Sequence, residues 1–256
     1  MQLIAQVRKA LAVGGAIVRA RTRNLGRLAT PATYLDIGAR GGLPTRWGWA
    51  YGAGLIRPVF VEADPGEAAR LKTRYPGTSV IPFALGDVDD EQAELKITRE
   101  PGRSSLLEPD MAMLGQFGAE PWEVVKRIPM TLCRLDKVWP SELAPPEFVK
   151  IDVQGFELRV LKGFGEMLNH VRCIELEVVL VPAYRLQPRL TEVVDFLRSA
   201  GFSLVRLASM GMYGSREMIE FNAFWVRHDQ QRDYQVQMWK DVNGVGSLNR
   251  LVVWGY

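Results

Sequence analysis

Three consecutive apolar segments of this chain each end beside a carboxylate. They are residues 34–37 with Asp36, residues 57–61 with Glu62, and residues 79–85 with Asp87. Each segment is followed by a turn, and the stretches between them are long enough for a helix. Strands joined through helical crossovers run parallel in one sheet, whereas antiparallel neighbours can be joined by short hairpins. The pattern therefore predicts an α/β fold with a mostly parallel sheet and helices on both of its faces.

Composition restricts the classes of protein to which the chain can belong. Its 256 residues, 47% of them hydrophobic, suit one large soluble domain. A net charge of +3 is too small to indicate nucleic acid as the main partner. The two cysteines and two histidines do not support a disulfide framework, a metal site or Ser-His-Asp catalysis. We expect a cytoplasmic protein with reduced thiols and no metal.

Residues 1–30 are basic and contain no acidic residue. Apolar residues at near-helical spacing indicate a basic N-terminal helical arm. Such an arm either packs on the domain or on a second subunit of a homo-oligomer, or contacts an anionic membrane surface. Gly14 and Gly15 weaken the helix, so we favour packing over membrane contact. Residues 31–228 are then expected to form the main domain, and residues 229–256 a C-terminal extension that serves as a lid or an oligomer contact.

The turn after the first segment is rich in glycine, at Gly38, Gly41 and Gly42. Glycine lets the backbone adopt positive φ and lets a ligand approach closely. In an open α/β sheet, ligands bind outside the carboxyl ends of the strands, where this turn is expected to lie. Glu62 is then placed to accept hydrogen bonds from two ribose hydroxyl groups, and Asp87 from the exocyclic amine of a purine. The strand ends therefore predict a site for a nucleotide-type cofactor.

Two cofactors fit such a site, a dinucleotide such as NAD and S-adenosylmethionine. The NAD interpretation requires a G-x-G-x-x-G/A turn, and the sequence Gly38-Ala39-Arg40-Gly41-Gly42 lacks that spacing. Asp36, just before the turn, is a poor neighbour for a pyrophosphate and a good one for an ammonium or sulfonium group. The residues thus favour S-adenosylmethionine, and an NAD-dependent oxidoreductase stays the alternative.

Four motifs match those of one known family in order and spacing. They are residues 35–42, 61–65, 84–87 and, most specifically, 148–163, which contain Lys-Ile-Asp-x-x-Gly-x-Glu from Lys150. Together they resemble the FkbM family of S-adenosylmethionine-dependent methyltransferases, over residues 33–206. The resemblance implies a Rossmann-like class I methyltransferase domain over residues 31–228, with seven strands of which the last is antiparallel. It also implies methyl transfer, most commonly to oxygen, on a small-molecule or glycan acceptor such as a sugar, lipid or natural product.

The resemblance also implies which residues bind the cofactor. The glycine turn and the acid before it would line the methionine end, Glu62 would hold the ribose, and Asp87 would lie near the adenine. Asp152 would face both the sulfonium and the acceptor. The predicted cofactor-binding residues are Asp36, Gly38, Ala39, Arg40, Gly42, Glu62, Ala63, Asp87 and Asp152.

Two residues depart from the family pattern. The family usually has Asn where Arg40 stands and Glu where Gln154 stands. Arg40 would repel a cationic cofactor unless its side chain points away, toward the carboxylate of the methionine or an anionic substrate. Gln154 removes one candidate base, so we expect no dependence of catalysis on a carboxylate at this position.

Methyl transfer to a hydroxyl group requires a residue that accepts the proton. Asp152 and Glu157 are the leading candidates, followed by Glu175 and Glu177. Glu157 has an alternative role in the first turn of its helix, where its charge is favourable with the helix dipole. The predicted substrate-binding residues are Ser104, Ser105 and Glu175, and for the serines a plain loop is the alternative.

Two variable regions, residues 100–124 and 208–220, are predicted to form the acceptor pocket as loops. Both carry methionines and aromatic residues beside an arginine, Arg103 or Arg216. Residues 94–98 alternate in polarity and predict an edge strand. A module that resembles a methyltransferase but only binds a partner is the remaining alternative to an enzyme.

Overall fold

The computed structural model describes residues 30–213, 217–230 and 233–245. The predicted N-terminal arm and the end of the predicted C-terminal extension lie outside the described residues. The described residues form ten strands: β1 (Ala32–Ile37), β2 (Ile56–Val61), β3 (Ser79–Ile81), β4 (Ala84–Leu85), β5 (Gln92–Thr98), β6 (Val124–Cys133), β7 (Phe148–Ile151), β8 (Cys173–Val179), β9 (Phe202–Tyr213) and β10 (Glu217–Arg227). The same residues form seven α-helices: α1 (Gly48–Gly52), α2 (Pro65–Arg74), α3 (Met111–Leu114), α4 (Leu135–Val138), α5 (Glu157–Lys162), α6 (Leu190–Ser199) and α7 (Tyr234–Val242). Within the described ranges, no helix is long and apolar enough to cross a membrane.

Seven of the described strands form one sheet in the order β3-β2-β1-β7-β8-β10-β9. The first five strands in this order run parallel, and β10 is antiparallel to both of its neighbours. The predicted α/β fold, with a mostly parallel sheet whose last strand is antiparallel, is confirmed. The chain proceeds outward from β1 to β3 and then returns to the other side of β1 as β7. The strand order therefore reverses between β1 and β7, where open α/β sheets bind their ligands.

Local sequence explains why the first strand-helix units form. Every residue of β1 and of β8 is buried, as expected for parallel strands covered on both faces. Helix α2 begins with Pro65, which has no N–H and so removes one of the donors that a first helical turn leaves unpaired. The Asp64 carboxylate accepts a 2.9 Å hydrogen bond from the Gly66 N–H, so it caps this helix.

A second, three-stranded sheet in the order β4-β6-β5 is inserted in the chain between β3 and β7. The prediction of one strand over residues 79–85 is wrong, because β3 stays in the main sheet while β4 pairs with β6. The break falls at Pro82, which has no N–H to donate to a strand ladder, and at the exposed Phe83. The edge strand predicted over residues 94–98 is β5, and it pairs with β6 in this second sheet.

Neither of the two regions predicted as acceptor loops is a plain loop. Region 100–124 contains 3-10 turns at Pro101–Arg103 and Glu120–Trp122 as well as helix α3, and it buries Trp122. Strands β9 and β10 extend as a long hairpin through most of residues 208–220. Strand β9 is the edge of the main sheet, and over these residues it pairs with β10 on one side.

Helices cover both faces of the main sheet. Helices α5 and α6 pack on one face through apolar residues such as Leu161 and Leu197. Helices α1 and α7 pack on the opposite face, where Trp239 of α7 joins a cluster with Tyr34 and Phe148. Helix α7 falls within the predicted C-terminal extension, yet Trp239 is only 1% exposed. This part of the extension is therefore packed into the core of the domain.

Replacing Trp239 with alanine is expected to destabilise the whole domain. The Trp239 ring packs against Phe224 of β10, with the ring centroids 5.9 Å apart. Loss of a buried tryptophan side chain costs about 3–5 kcal/mol of unfolding free energy. Urea unfolding followed by circular dichroism should show one transition at a lower midpoint. Trp49→Ala on α1, where the side chain is 44% exposed, is the matched control and should change stability by about 0.5 kcal/mol or less. A separate early transition with an unchanged main midpoint would contradict the expectation.

Candidate active site

A cleft lies at the carboxyl ends of β1, β2 and β7. Gly38 follows β1, Glu62 follows β2 and Asp152 follows β7, and all three line the cleft. Residues of β4 and of the segment 101–106 complete the wall. The cleft is open to solvent, and about 900 Å³ of free space lies within the cleft and its mouth together. Its place beside the reversal of strand order matches the ligand crevice of open α/β sheets.

The structure brings some of the predicted site residues together at the cleft and leaves others outside it. Those that line the cleft are Gly38, Arg40, Glu62, Ala63, Ser104, Ser105 and Asp152. Those outside its lining are Asp36, Ala39, Gly42, Asp87, Glu157 and Glu175. The roles of all these residues in binding and catalysis stay predictions.

Close contacts fix the glycine turn. Gly38 has a φ of +77°, and a Cβ atom there would lie 1.9 Å from the carbonyl oxygen of Asp152. Gly42 has a φ of +82°, and a Cβ atom there would lie 2.5 Å from the ring of Tyr75. A side chain at Gly38 would collide with backbone and push the turn away from β7, whereas at Gly42 the Tyr75 ring would have to move. The positive φ at both positions also favours glycine. Ala39 is buried within the turn, so its contribution to any bound ligand would come from the backbone.

The Arg40 side chain points along the glycine turn toward two acidic residues, the one that caps α2 and one within the helix. One guanidinium nitrogen lies 2.9 Å from a carboxylate oxygen of Asp64, and another lies 3.8 Å from Glu67. Glu67 also accepts a 3.1 Å hydrogen bond from the Gly41 N–H. The positive charge that departs from the family pattern is therefore neutralised by acids of the protein itself, and it braces the turn against α2.

Glu62 presents a carboxyl group that is buried at the wall of the cleft. Its side chain is 6% exposed, and Oε1 accepts a 2.9 Å hydrogen bond from the Asp64 N–H. Burial raises the pKa of Glu62 to about 7, although the Asp64 N–H and Arg40 oppose this rise. A buried acceptor of this kind suits a ligand that brings its own hydroxyl donors.

A row of charged residues crosses the sheet beneath the cleft. Asp36, Lys150 and Glu175 are register partners on β1, β7 and β8. The Lys150 Nζ atom lies 3.5 Å from Asp36 Oδ1 and 3.2 Å from Asp152 Oδ2. Burial raises the pKa of Asp36 to about 6, and Lys150 limits the rise. Glu175 is bound by the guanidinium of Arg46 and is 2% exposed, so this predicted substrate residue belongs to the buried row.

Lys150, which the sequence suggests is a strand residue with a packed stem rather than a catalyst, is a member of this row. Burial alone would lower the pKa of Lys150, but Asp36, Asp152 and Glu175 outweigh that effect and raise it. The lysine therefore stays charged beneath the cleft. Lys150 and Asp152 are two residues apart, and side chains with this spacing in a strand point to the same face. This spacing is the sequence signal that places them together.

Asp152 is held by donors on both of its oxygens. Lys150 contacts Oδ2, and the Gln154 Nε2 atom donates to Oδ1 over 3.0 Å. Burial would raise the pKa of Asp152, but Lys150 and hydrogen bonds with Gln154 and Glu177 lower it overall. The Asp152 side chain is 32% exposed, so an ionised carboxylate faces the cleft.

The two predicted serines frame the same part of the cleft. The Ser105 Oγ atom donates to the Gln154 carbonyl oxygen over 2.7 Å and accepts from the Leu107 N–H over 2.9 Å. The Ser104 Oγ atom accepts from the Thr98 N–H over 3.2 Å. Both hydroxyl groups thus fasten segment 101–106 to β5 and to the turn after β7, which fixes the distance between the walls of the cleft.

Glu157 lies at the start of α5, and its carboxyl group accepts hydrogen bonds from the turn before the helix. Its Oε1 atom accepts hydrogen bonds of 3.1 Å from the N–H groups of both Val153 and Gly155. The carboxyl group is buried outside the described lining of the cleft. This geometry agrees with the structural alternative for Glu157, in which its side chain stabilises the backbone that carries Asp152 and Gln154.

Replacing Glu157 with glutamine is expected to flatten the pH dependence of stability. Burial raises the pKa of Glu157 from 4.5 to about 7. A group with a raised pKa in the folded state contributes stability that is fully present below its unfolded pKa and is lost as the pH rises through its folded pKa. Unfolding free energy of the wild type should therefore fall between about pH 5 and 8 by about 3 kcal/mol because of this group, and that part should disappear in the variant. Urea unfolding at the two ends of this pH range measures the change in unfolding free energy. Glu166→Gln, at an exposed glutamate, is the control. An equally steep decline in Glu157→Gln would contradict the assignment.

Asp87 is paired with Arg159 of α5 at a distance of 2.6 Å. Arg159 also binds Glu91, so this ion-pair group ties α5 to the turn after β4. The nearby wall of the cleft is apolar, and Phe83, 43% exposed, is its most exposed aromatic residue. Phe83 is not among the predicted site residues, because one buried strand was expected over residues 79–85.

The cleft fits S-adenosylmethionine in its charges and its surfaces. Glu62 and Asp152 supply acceptors for hydroxyl groups and a negative environment for a cationic sulfur. Arg40 and Lys150, the cations of the described lining, are both neutralised by acids of the protein. The apolar wall with Phe83 offers a surface for a flat base. Among the described residues, no group of three or more His, Cys, Asp or Glu side chains could hold a metal ion.

The fold and the cleft together define a class I methyltransferase that uses S-adenosylmethionine. A family model described as the methyltransferase FkbM domain matches residues 36–204. This match spans more than half of the chain, and the chain belongs to the FkbM methyltransferase family. Its cofactor is therefore S-adenosylmethionine, and the NAD alternative finds no support.

Solved structures of other methyltransferases are similar to this chain at low identity. Magnesium protoporphyrin IX methyltransferase from Synechocystis PCC 6803, with bound SAM, is 15% identical over 86% of this chain and 83% of its own, with a TM-score of 0.39. The 1,6-didemethyltoxoflavin-N1-methyltransferase from Burkholderia thailandensis is 14% identical over 88% and 85%, with a TM-score of 0.38. No curated protein matches the sequence. These likenesses are too distant to carry an argument, so the class rests on the family match and the strand order.

Proposed function

We propose that this methyltransferase transfers the methyl group to a hydroxyl oxygen of a small-molecule or glycan acceptor, such as a sugar, lipid or natural product. The observation that carries the proposal is the ionised Asp152 carboxylate, which faces the cleft between the glycine turn and the Ser104–Ser105 segment. A hydroxyl group needs a proton acceptor when it attacks a methyl group, whereas a neutral amine does not need one before attack. Both cysteines of the described residues are free, in agreement with the cytoplasmic location that we propose.

Residues of the first two strand ends would hold the cofactor. S-adenosylmethionine, when bound, supplies an electrophilic methyl group on a cationic sulfur. Glu62 would accept hydrogen bonds from the ribose hydroxyl groups, with Ala63 beside it, and the glycine turn would contact the methionine end. Asp36 would add negative charge to the site from the buried row of charged residues beneath the cleft. Holding the two reactants in line supplies a large part of the acceleration in a displacement of this kind.

Asp152 would orient the acceptor and receive its proton. The carboxylate is fixed by Lys150 and Gln154, so a hydroxyl group that donates to it is held in one place. Glu157, the other predicted base, makes its contacts with backbone N–H groups outside the cleft. We therefore assign the proton transfer to Asp152 and a structural role to Glu157.

Incubation with labelled S-adenosylmethionine and fractionated extract of the native host tests the proposal. We expect label in a compound of low molecular mass or in a glycan, and nuclear magnetic resonance of the product should show a methyl group on oxygen. Heat-treated protein is the control for transfer without the enzyme. A product methylated on nitrogen or carbon would contradict the choice of oxygen while leaving the class of enzyme intact.

A further inference from the structure

Glu177 is a buried carboxyl group beside Asp152 to which the mechanism above gives no role. It lies on β8, two residues after Glu175, and is 8% exposed. The Gln154 Nε2 atom donates to Glu177 Oε2 and to Asp152 Oδ1, over 3.0 Å in each case. One amide group therefore holds the two carboxyl groups side by side. Two negative charges this close in a buried place repel each other, which favours a proton on one of them.

Gln154 is locked in the orientation that joins the two carboxyl groups. Its backbone has a φ of 55°, an uncommon conformation for a residue other than glycine. The Ser105 hydroxyl donates to the Gln154 carbonyl oxygen. The Tyr184 hydroxyl lies 3.2 Å from the Gln154 Oε1 atom and 2.7 Å from the Arg103 carbonyl oxygen, so its single proton serves both acceptors. The amide nitrogen faces Asp152 and Glu177, and both carboxyl groups accept from it. A glutamate at this position would instead add a third negative charge.

Charged groups from several elements face Glu177. Asp152 and Lys150 approach from β7, Glu157 from α5 and Glu220 from β10. Burial and the neighbouring acids raise the pKa of Glu177 well above its usual range, and Lys150 opposes the rise. The pKa of Asp152 shifts in the opposite direction. In the absence of a bound cation the shared proton is therefore held on Glu177, while Asp152 is ionised.

We propose that Asp152 and Glu177, bridged by Gln154, form a proton-sharing pair whose proton content follows the charge of the bound cofactor. This inference rests on the proposed function and deepens it. A positive charge beside the pair favours loss of the shared proton to solvent, and removal of that charge favours uptake of a proton. Glu177 acts through Asp152, so it is a positioning residue, whereas Asp152 meets the acceptor.

The pair keeps the charge of the site balanced during methyl transfer. The carbon–sulfur bond breaks with its electron pair left on sulfur, and the new carbon–oxygen bond forms from an electron pair of the hydroxyl oxygen. Asp152 receives the hydroxyl proton, which the pair then shares. The positive charge that sulfur loses is thus replaced by one proton on the pair.

Calorimetry with S-adenosylmethionine and S-adenosylhomocysteine tests the inference without an acceptor. Each ligand is titrated near pH 7 in two buffers of different ionisation enthalpy, which gives the number of protons bound or released. The uncharged product should leave more protons on the wild type than the cationic cofactor does, by on the order of half a proton per site. Both ligands carry the same ribose, so titration of Glu62 cancels in the difference. Glu177→Gln should remove most of the difference and still bind both ligands.

The matched control is Glu147→Gln, a partly buried carboxyl group beside the amino end of β7, which should keep the wild-type difference. If Glu177→Gln does not fold, as judged by circular dichroism, Gln154→Met removes the bridge and should reduce the difference instead. Equal proton numbers for both ligands in the wild type would overturn the inference and leave the methyltransferase assignment intact. A difference that persists in both Glu177→Gln and Gln154→Met would place the proton elsewhere. Absence of binding by either ligand would overturn the proposed function as well.

Discussion

Replacing Asp152 with asparagine is expected to slow methyl transfer by about 10²–10⁴-fold. Asparagine preserves the size of the side chain, and its amide oxygen can still accept a hydrogen bond from Lys150. The amide cannot receive the proton of an acceptor hydroxyl group. Rates measured with labelled S-adenosylmethionine and a saturating acceptor fraction should therefore show the loss in kcat, because the missing interaction belongs to the transition state.

Binding of S-adenosylhomocysteine separates this loss from a damaged cofactor site. The sulfur of this ligand carries no charge, so its affinity for Asp152→Asn, measured by calorimetry, should stay close to that of the wild type. Asp195→Asn on α6, outside the described lining of the cleft, is the matched control and should change neither quantity. If Asp152→Asn kept the wild-type kcat, the acceptor proton would leave by another route, and oxygen as the methylated atom would lose its main support.

Replacing Glu62 with alanine is expected to weaken binding of S-adenosylhomocysteine by about 10²–10⁴-fold. In the proposed site the wild-type carboxylate would accept from two ribose hydroxyl groups, and hydrogen bonds to a charged group contribute about 1.5–3 kcal/mol each. Alanine offers no acceptor to these hydroxyl groups. Calorimetry measures the change, with Glu94→Ala on the exposed face of the second sheet as the control. Wild-type affinity in Glu62→Ala would mean that the ribose is held elsewhere.

The same affinity should depend on pH. Burial raises the pKa of Glu62 to about 7, and only the ionised carboxylate can accept from both hydroxyl groups. Protonation therefore competes with binding as the pH falls, and the Kd of S-adenosylhomocysteine should rise by up to about tenfold per pH unit below pH 7. Above about pH 8 the Kd should be constant, and Glu62→Ala should lack this dependence. A Kd that stays constant in the wild type between about pH 5.5 and 8 would contradict the role of the carboxylate.

Much of the fold could be predicted because local sequence and global topology agree in it. The first strand ends in a glycine turn, and Gly38 has no room for a Cβ atom against the Asp152 carbonyl. The Asp64-Pro65 pair predicts the start of α2, and the structure has the cap there. The prediction of one strand over residues 79–85 is wrong. A proline interrupts the strand ladder, so the first part of the segment pairs in the main sheet and the last part in the second sheet.

The charged residues of the site were harder to predict, since their partners are distant in sequence. Asp87 has the spacing of a ligand contact, but Arg159 reaches it from α5. Arg40 has the wrong charge for its position until Asp64 and Glu67 neutralise it. Glu157 shares the motif of Asp152, yet its carboxyl group turns back to the N–H groups before the helix. In each case the decisive contact forms only after the elements pack.

The sequence by itself determined the strand ends, the glycine turn and the family motif, because these depend on backbone conformation and short-range spacing. It therefore determined the class of cofactor and the edge of the sheet where the cofactor is expected. Only the tertiary structure decided which carboxyl groups face the cleft and which are neutralised. That distinction depends on burial and on partners such as Lys150 and Gln154, whose side chains the packed sheet and loops bring to Asp152. The electrostatic state of a side chain is set by everything that surrounds it, and the surroundings exist only in the folded chain.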